Sequence, residues 1–201
     1  KTKKGFLALM VSFLVIISLL FFISRQQQNS GINQSGNLSG ITHQVDELTT
    51  AFDSTFLNNP AMGVKIAQEA IQLTRNSGDS ISMVRFMLRQ AACYQMLDKS
   101  DTALSTFRSS LAIAEKMKNH SLIAKCRNGL ANYYLRKEEY QSATHQLTEA
   151  LKAAEKAGDK HATGLIYNGL GLVNISLNKP ALAIGYFQKA VSLCRETGDL
   201  T

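Results

Sequence analysis

Two consecutive stretches decide the fold: KNHSLIAKCRNGLANYYLRKEEYQSATHQLTEALKAAEKA, residues 118–157, and GDKHATGLIYNGLGLVNISLNKPALAIGYFQKAVSLCRET, residues 158–197. Set one above the other they agree in chemical character, and the agreement runs backward through the chain. One column reads Ala51, Ala91, Ala131, Gly171; a second reads Gly63, Ala103, Ala143, Ala183; a third reads Ala70, Ser110, Ala150, Ala190. Between the last two stands a bulkier column, Ala67, Phe107, Leu147, Phe187. Small residues at fixed places let helix backbones approach, and the large residue fills the gap beside them. A period of this length marks stacked supersecondary units rather than one globular active site.

Within each row the apolar spacing is helical. Ala103, Leu104, Phe107, Leu111 and Ala114 lie on one face, as do Ala183, Ile184, Phe187, Val191 and Cys194. The punctuation recurs too. Gly78-Asp79, Gly158-Asp159 and Gly198-Asp199 read as a helix stop followed by an N-cap, with Lys118-Asn119 in the remaining slot. Asn58, Asp98, Glu138 and Asn178 share a turn column, and Pro60 and Pro180 suit a first helical turn. The pattern predicts helix pairs at about 43–57/60–76, 79–97/100–117, 119–137/140–157 and 159–177/180–197.

The chain resembles the tetratricopeptide repeat family in a forty-residue form. The residues that carry the resemblance are Tyr167, Leu170-Gly171, Ala183, Phe187 and Ala190 in the last row. In the third they are Leu130-Ala131, Tyr134, Tyr140, Ala143, Leu147 and Ala150, and in the second Ala91, Tyr94, Ala103 and Phe107. The first row is degenerate, with Ala67 where a large residue is expected, and reads as a capping repeat. The resemblance implies an all-α fold, an α-α superhelix of about four helix-turn-helix repeats at roughly 42–77, 78–117, 118–157 and 158–197. Helix 180–197 then keeps Ile184, Phe187 and Val191 without a following layer. The expectation is that the repeat array is cut at residue 201 and continues beyond it.

The front of the chain has a different character. Phe6 to Ile23 is free of charge and almost wholly apolar. As a helix it would reach about 27 Å, close to the thickness of a bilayer core. Lys1, Lys3 and Lys4 precede it, which should keep that end cytoplasmic and send the remainder across. Residues 1–25 therefore read as a signal anchor or transmembrane segment, with a cleaved signal peptide as the alternative. Residues 26–41, polar and nearly chargeless, read as a flexible linker, and 42–201 as the solenoid. This places the repeats outside the cytoplasm, in a bacterial periplasm, with the membrane contacted through residues 6–23.

The net charge of +7 follows the same division. Lys1, Lys3, Lys4 and Arg25 supply +4, and residues 26–201 carry 18 basic and 15 acidic side chains. A residual +3 is an ordinary solubilising charge and argues against a nucleic-acid partner. Cys93, Cys126 and Cys194 form no CxxC and read as small hydrophobes in helix interfaces. His43, His120, His145 and His161 show no metal-ligand spacing, and no P-loop, nucleophile elbow or dinucleotide fingerprint occurs. Gly164, Gly169 and Gly171 lie within a helical row and read as close-packing sites. The sequence predicts no enzyme, no cofactor, no metal and no small-molecule substrate.

What remains is a binding face. The resemblance implies that the first helix of each pair lines a concave surface. Its inward positions are Arg85, Leu88, Arg89, Ala92 and Met96, then Lys125, Asn128, Asn132 and Arg136, then Leu165, Asn168, Leu172 and Ser176. Asparagine amides both donate to and accept from a peptide backbone, and the cations favour carboxylates. The expected peptide-binding set is Arg85, Arg89, Lys125, Asn128, Asn132, Arg136 and Asn168. The expected function is a membrane-tethered protein-interaction scaffold holding a protein or peptide segment on that face. A second reading is the sensory region of a bacterial signalling protein, a histidine kinase or transcriptional regulator, whose output domain lies beyond this chain.

Overall fold

The computed structural model describes residues 39–198. The anchor at 1–25, its apolar stretch 6–23 and the linker as far as residue 38 lie outside the described residues. Among those described, no helix is long and apolar enough to cross a membrane. They form helices only: α1 (39–55), α2 (Pro60–Ser77), α3 (Ser80–Met96), α4 (Ser100–Lys116), α5 (His120–Arg136), α6 (Tyr140–Ala157), α7 (Lys160–Ser176) and α8 (Pro180–Thr197). The expected helix pairs are all present, with ends shifted by a few residues. The largest shift is at α1, already helical at residue 39, so residues 39–41 belong to the helix and not to the linker.

The joints explain the regularity. Residues 78, 98, 118, 138, 158, 178 and 198 all have positive φ, between 54° and 77°. A left-handed residue therefore recurs every twenty residues, at half the period of the side-chain pattern. At five of these joints the chain then closes by the same backbone bond: the amides of Lys99, Asn119, Glu139, Asp159 and Lys179 donate to the carbonyls of Tyr94, Ala114, Tyr134, Ala154 and Asn174. The column Asp98, Glu138, Asn178 supplies left-handed turn residues. The helix that follows Asn58 is capped instead by Asn59, whose Oδ1 accepts from the Met62 amide at 3.0 Å. Odd helices begin with a side-chain cap, from Asp79, Asn119 and Asp159, whereas α4, α6 and α8 begin without one.

Lys118 and Glu138 hold the left-handed conformation at φ 54° and 61° although they carry a Cβ. That geometry costs a non-glycine residue about 1–2 kcal/mol, offset in part by the greater freedom a glycine loses on folding. Lys118→Gly and Glu138→Gly are each expected to stabilise the fold by about 0.5–1 kcal/mol. Urea unfolding of the single variants checks this, and a loss of stability would contradict it.

Packing follows the columns. Ala91, Ala103, Ala131, Ala143, Ala150 and Ala183 are all at most 1% exposed, and the large column inserts beside them, with Phe107 and Leu147 buried. Each large residue also meets the next odd helix where it carries glycine. A Cβ on Gly129 would stand 2.6 Å from the Phe107 ring, and one on Gly169 would stand 2.8 Å from Leu147. In the first row the volumes are exchanged: Ala67 takes the large position, and Arg89 takes the position equivalent to Gly129 and Gly169. Arg89 is half-buried, with its guanidinium 5.3 and 5.4 Å from the ring centres of Phe52 and Phe86 and 3.1 Å from Asp53.

The cysteines sit in these interfaces. Cys93 and Cys126 are buried and Cys194 is half-buried, with no disulfide among them. Burial pushes the Cys93 thiol up, and pushes that of Cys126 up to about 11. In the folded protein an aromatic disulfide reagent at pH 8 is expected to label Cys194 alone, and all three thiols after denaturation. Rapid labelling of Cys126 in the native state would contradict its packing.

Candidate interaction groove

Helices pack in sequence order, and odd helices also meet across rows: α1 reaches α3 through Asp53 and Arg89, and α3 packs with α5 and α5 with α7. Among the described residues, even helices make no comparable contacts with one another. The odd helices are therefore the compressed, inner layer of the repeat body, and their outward strips line its inner face.

This layer brings Arg85, Arg89 and Lys125 together. They line one cavity of about 390 Å³ with Val45, Asp46 and Thr49 of α1 and Ser82, Phe86 and Leu88 of α3. The cations are not equivalent. Arg89 is clamped as described, and Lys125 Nζ lies 3.6 Å from Asp159. Among the described residues, Arg85 alone of the three lies exposed without a carboxylate at ion-pair distance. Its charge reaches Asp79, where burial pushes the carboxyl up but bonds from Ser82 and Ile81, together with Arg85, hold it below its ordinary value. Asn132, Arg136 and Asn168 are exposed and lie outside the cavity.

Asn128 is half-buried, and its Oδ1 is fully buried beside Gly169 with no protein donor. Among the described residues it is the one buried side-chain polar atom without a partner. An unmet buried acceptor costs about 1–3 kcal/mol. Asn128→Leu, of similar size, is expected to raise stability by about 1 kcal/mol in chemical denaturation. A loss instead would mean that the carbonyl has a donor in solution.

Sequence reasoning missed the carboxylates that hold two of the groove cations. Asp53 precedes Arg89 by 36 residues, and Asp159 follows Lys125 by 34. Neither interval matches the forty-residue column, so the repeat alignment does not display them. A larger cavity of about 680 Å³ lies on the outer side of α8, against Ile184, Phe187 and Val191. Equivalent surfaces of α4 and α6 are covered by α5 and α7, so it continues the stacking face and is no part of the groove. No cluster of metal-ligating side chains occurs among the described residues.

The sequence profile described as tetratricopeptide repeat matches residues 82–156 and again 123–196. The chain belongs to the tetratricopeptide repeat family. Together these matches span more than half of it, from α3 through α8. No curated protein matches the chain. Among solved structures, the crystal structure of BtubC (BKLC) from P. vanneervenii is similar, with a TM-score of 0.52 at 15% identity over 79% of this chain and 72% of that one. At that identity the likeness is one of fold. Tetratricopeptide repeats typically form non-catalytic scaffolds that bind protein or peptide partners, and their presence here indicates a protein-interaction scaffold.

Proposed function

We propose that the tetratricopeptide repeats hold an extended segment of a partner protein along the inner face, on a chain tethered to a membrane through residues 6–23. The observation that carries the reading is a strip that packing leaves unused. Asn132 and Asn168 are exposed on α5 and α7, alongside Leu165 at 47% and Leu172 at 43% exposure. Amides that offer both donor and acceptor, set beside exposed apolar surface, suit a peptide main chain with intermittent side-chain contacts.

A photo-crosslinking residue at position 132 tests the groove, against a control at exposed Glu155 on α6. The expected result is a discrete adduct from position 132 alone, reduced by Asn168→Ala. Equal adducts from both positions would place the partner elsewhere. The tether rests on the uncharged run Phe6–Ile23 behind three lysines. The repeats are expected to resist alkaline carbonate extraction and to be cut by protease added to spheroplasts. Release by carbonate would remove the tether from the proposal.

A further inference from the structure

Followed along the inner face, equivalent positions change chemistry. Arg85, Lys125 and Leu165 share one column, and Ala92, Asn132 and Leu172 share another. At the α3 end Arg85 is, among the described residues, the one uncommitted cation of the cavity, because Arg89 and Lys125 are engaged by Asp53 and Asp159. At the α7 end the strip of Leu165, Asn168 and Leu172 carries no charge. Within the interior of the stack the same two columns hold a half-exposed Lys125 and an exposed Asn132. The same columns are thus at least half-exposed in the earlier rows as well.

We infer that the inner face selects an extended segment with one acidic side chain and, about five or six residues away, an apolar one. Arg85 takes the carboxylate, and Leu165 with Leu172 takes the apolar group. The inference rests on the scaffold reading above and adds the chemistry of the partner. The spacing comes from the packing. Helix α3 packs on α5 and α5 on α7, and packed helix axes lie about 8–10 Å apart. The two ends are then about 16–20 Å apart, and an extended chain advances about 3.3 Å per residue. A guanidinium is suited to a carboxylate because its fork can donate two parallel hydrogen bonds. Asp46, on the α1 wall of the same cavity, opposes the incoming charge.

The test uses the 201-residue chain in mild detergent and fluorescein-labelled, amidated peptides. Each peptide is a Gln/Thr frame with one Glu and one Leu, separated by two, four, six or nine residues. Anisotropy is expected to show tightest binding near six, at least about tenfold tighter than at two. Arg85→Gln should abolish the preference for Glu over a Gln control, and Asp46→Asn should strengthen it. Leu165→Ser with Leu172→Ser should abolish the preference for Leu over Ser. All four positions are exposed or line the open cavity, and circular dichroism confirms that the variants fold. Binding that ignores spacing, or Arg85→Gln acting equally on Glu and Gln peptides, overturns the inference. If such binding is still weakened by Asn132→Ala with Asn168→Ala, the broader groove reading survives. Absence of saturable binding by every peptide overturns the inference, and the crosslinking experiment then decides the broader reading separately.

Discussion

Phe107→Ala is expected to cost about 3–5 kcal/mol. Phe107 is 3% exposed and forms one cluster with Ala91, Ala103, Leu130 and Tyr133. Its ring fills the space above Gly129, where even a methyl group would stand 2.6 Å away. Ala91, Ala103 and Gly129 have no side chain that can swing into the vacated volume, so only Leu130 and Tyr133 can relax towards it and much of the cavity persists. The position matters as much as the volume. Phe107 joins the second row to the third, and a stack held by nearest-neighbour interfaces loses cooperativity when one interface fails. Denaturant unfolding should therefore show a lower midpoint together with a shallower or two-step transition. A loss below about 1 kcal/mol, with one sharp transition, would mean that Phe107 is not the wedge between these rows.

The second large effect belongs to Asp159. Its Oδ1 accepts from the Ala162 amide at 2.9 Å and so caps α7, while its Oδ2 accepts from the Ser121 hydroxyl at 2.5 Å and faces Lys125 on α5. One carboxylate thus starts a helix and fastens it to the previous row. A cap contributes about 0.5–2 kcal/mol. A hydrogen bond to a charged acceptor contributes about 1.5–3, and the half-exposed ion pair contributes little. Asp159→Ala is expected to cost about 2–4 kcal/mol near neutral pH.

The pH dependence of that loss has a definite sign. Burial is the largest single influence on Asp159 and pushes its carboxyl up. The bonds from Ser121 and Ala162, with Lys125, outweigh it and hold the group below its ordinary value. A depressed acid contributes stability above its unfolded pKa, about 3.9, and loses it as pH falls through the folded value. The gap between wild type and Asp159→Ala should be constant from pH 8 to about pH 5 and narrow in more acidic solution. A gap that widened in acid would mean that the folded pKa is raised.

Most of the fold could be read from the sequence because its information is periodic. The small columns, the Gly-Asp stops and the helical spacing repeat at one interval, so each row corroborates the others. The strip left exposed along the odd helices was legible in its residue types and less so in its charge pairing. Arg89 has the residue type of a ligand-binding cation, yet it occupies a column that is glycine in the next two rows, a sign that it fills volume. Its partners Phe52 and Asp53 belong to the degenerate first row, where the repeat gives least guidance. Lys125 meets Asp159 only because the inner layer is compressed, and that curvature is set by packing among helices distant in sequence. The buried Oδ1 of Asn128 depends in the same way on Gly169 in the following row.

The left-handed joint at every twentieth residue leaves the backbone indifferent to which helix is inner and which is outer. Removing twenty residues between two such joints, for instance 119–138, would rejoin the main chain without distortion. Everything downstream would nevertheless be turned inside out, with Leu165 and Leu172 displayed on the outer surface and the wedge of Phe107 left without its glycine. Length can therefore change in units of one helix as far as the joints are concerned, but only in pairs if a recognition surface is to stay continuous. The side chains, not the turns, keep the count even.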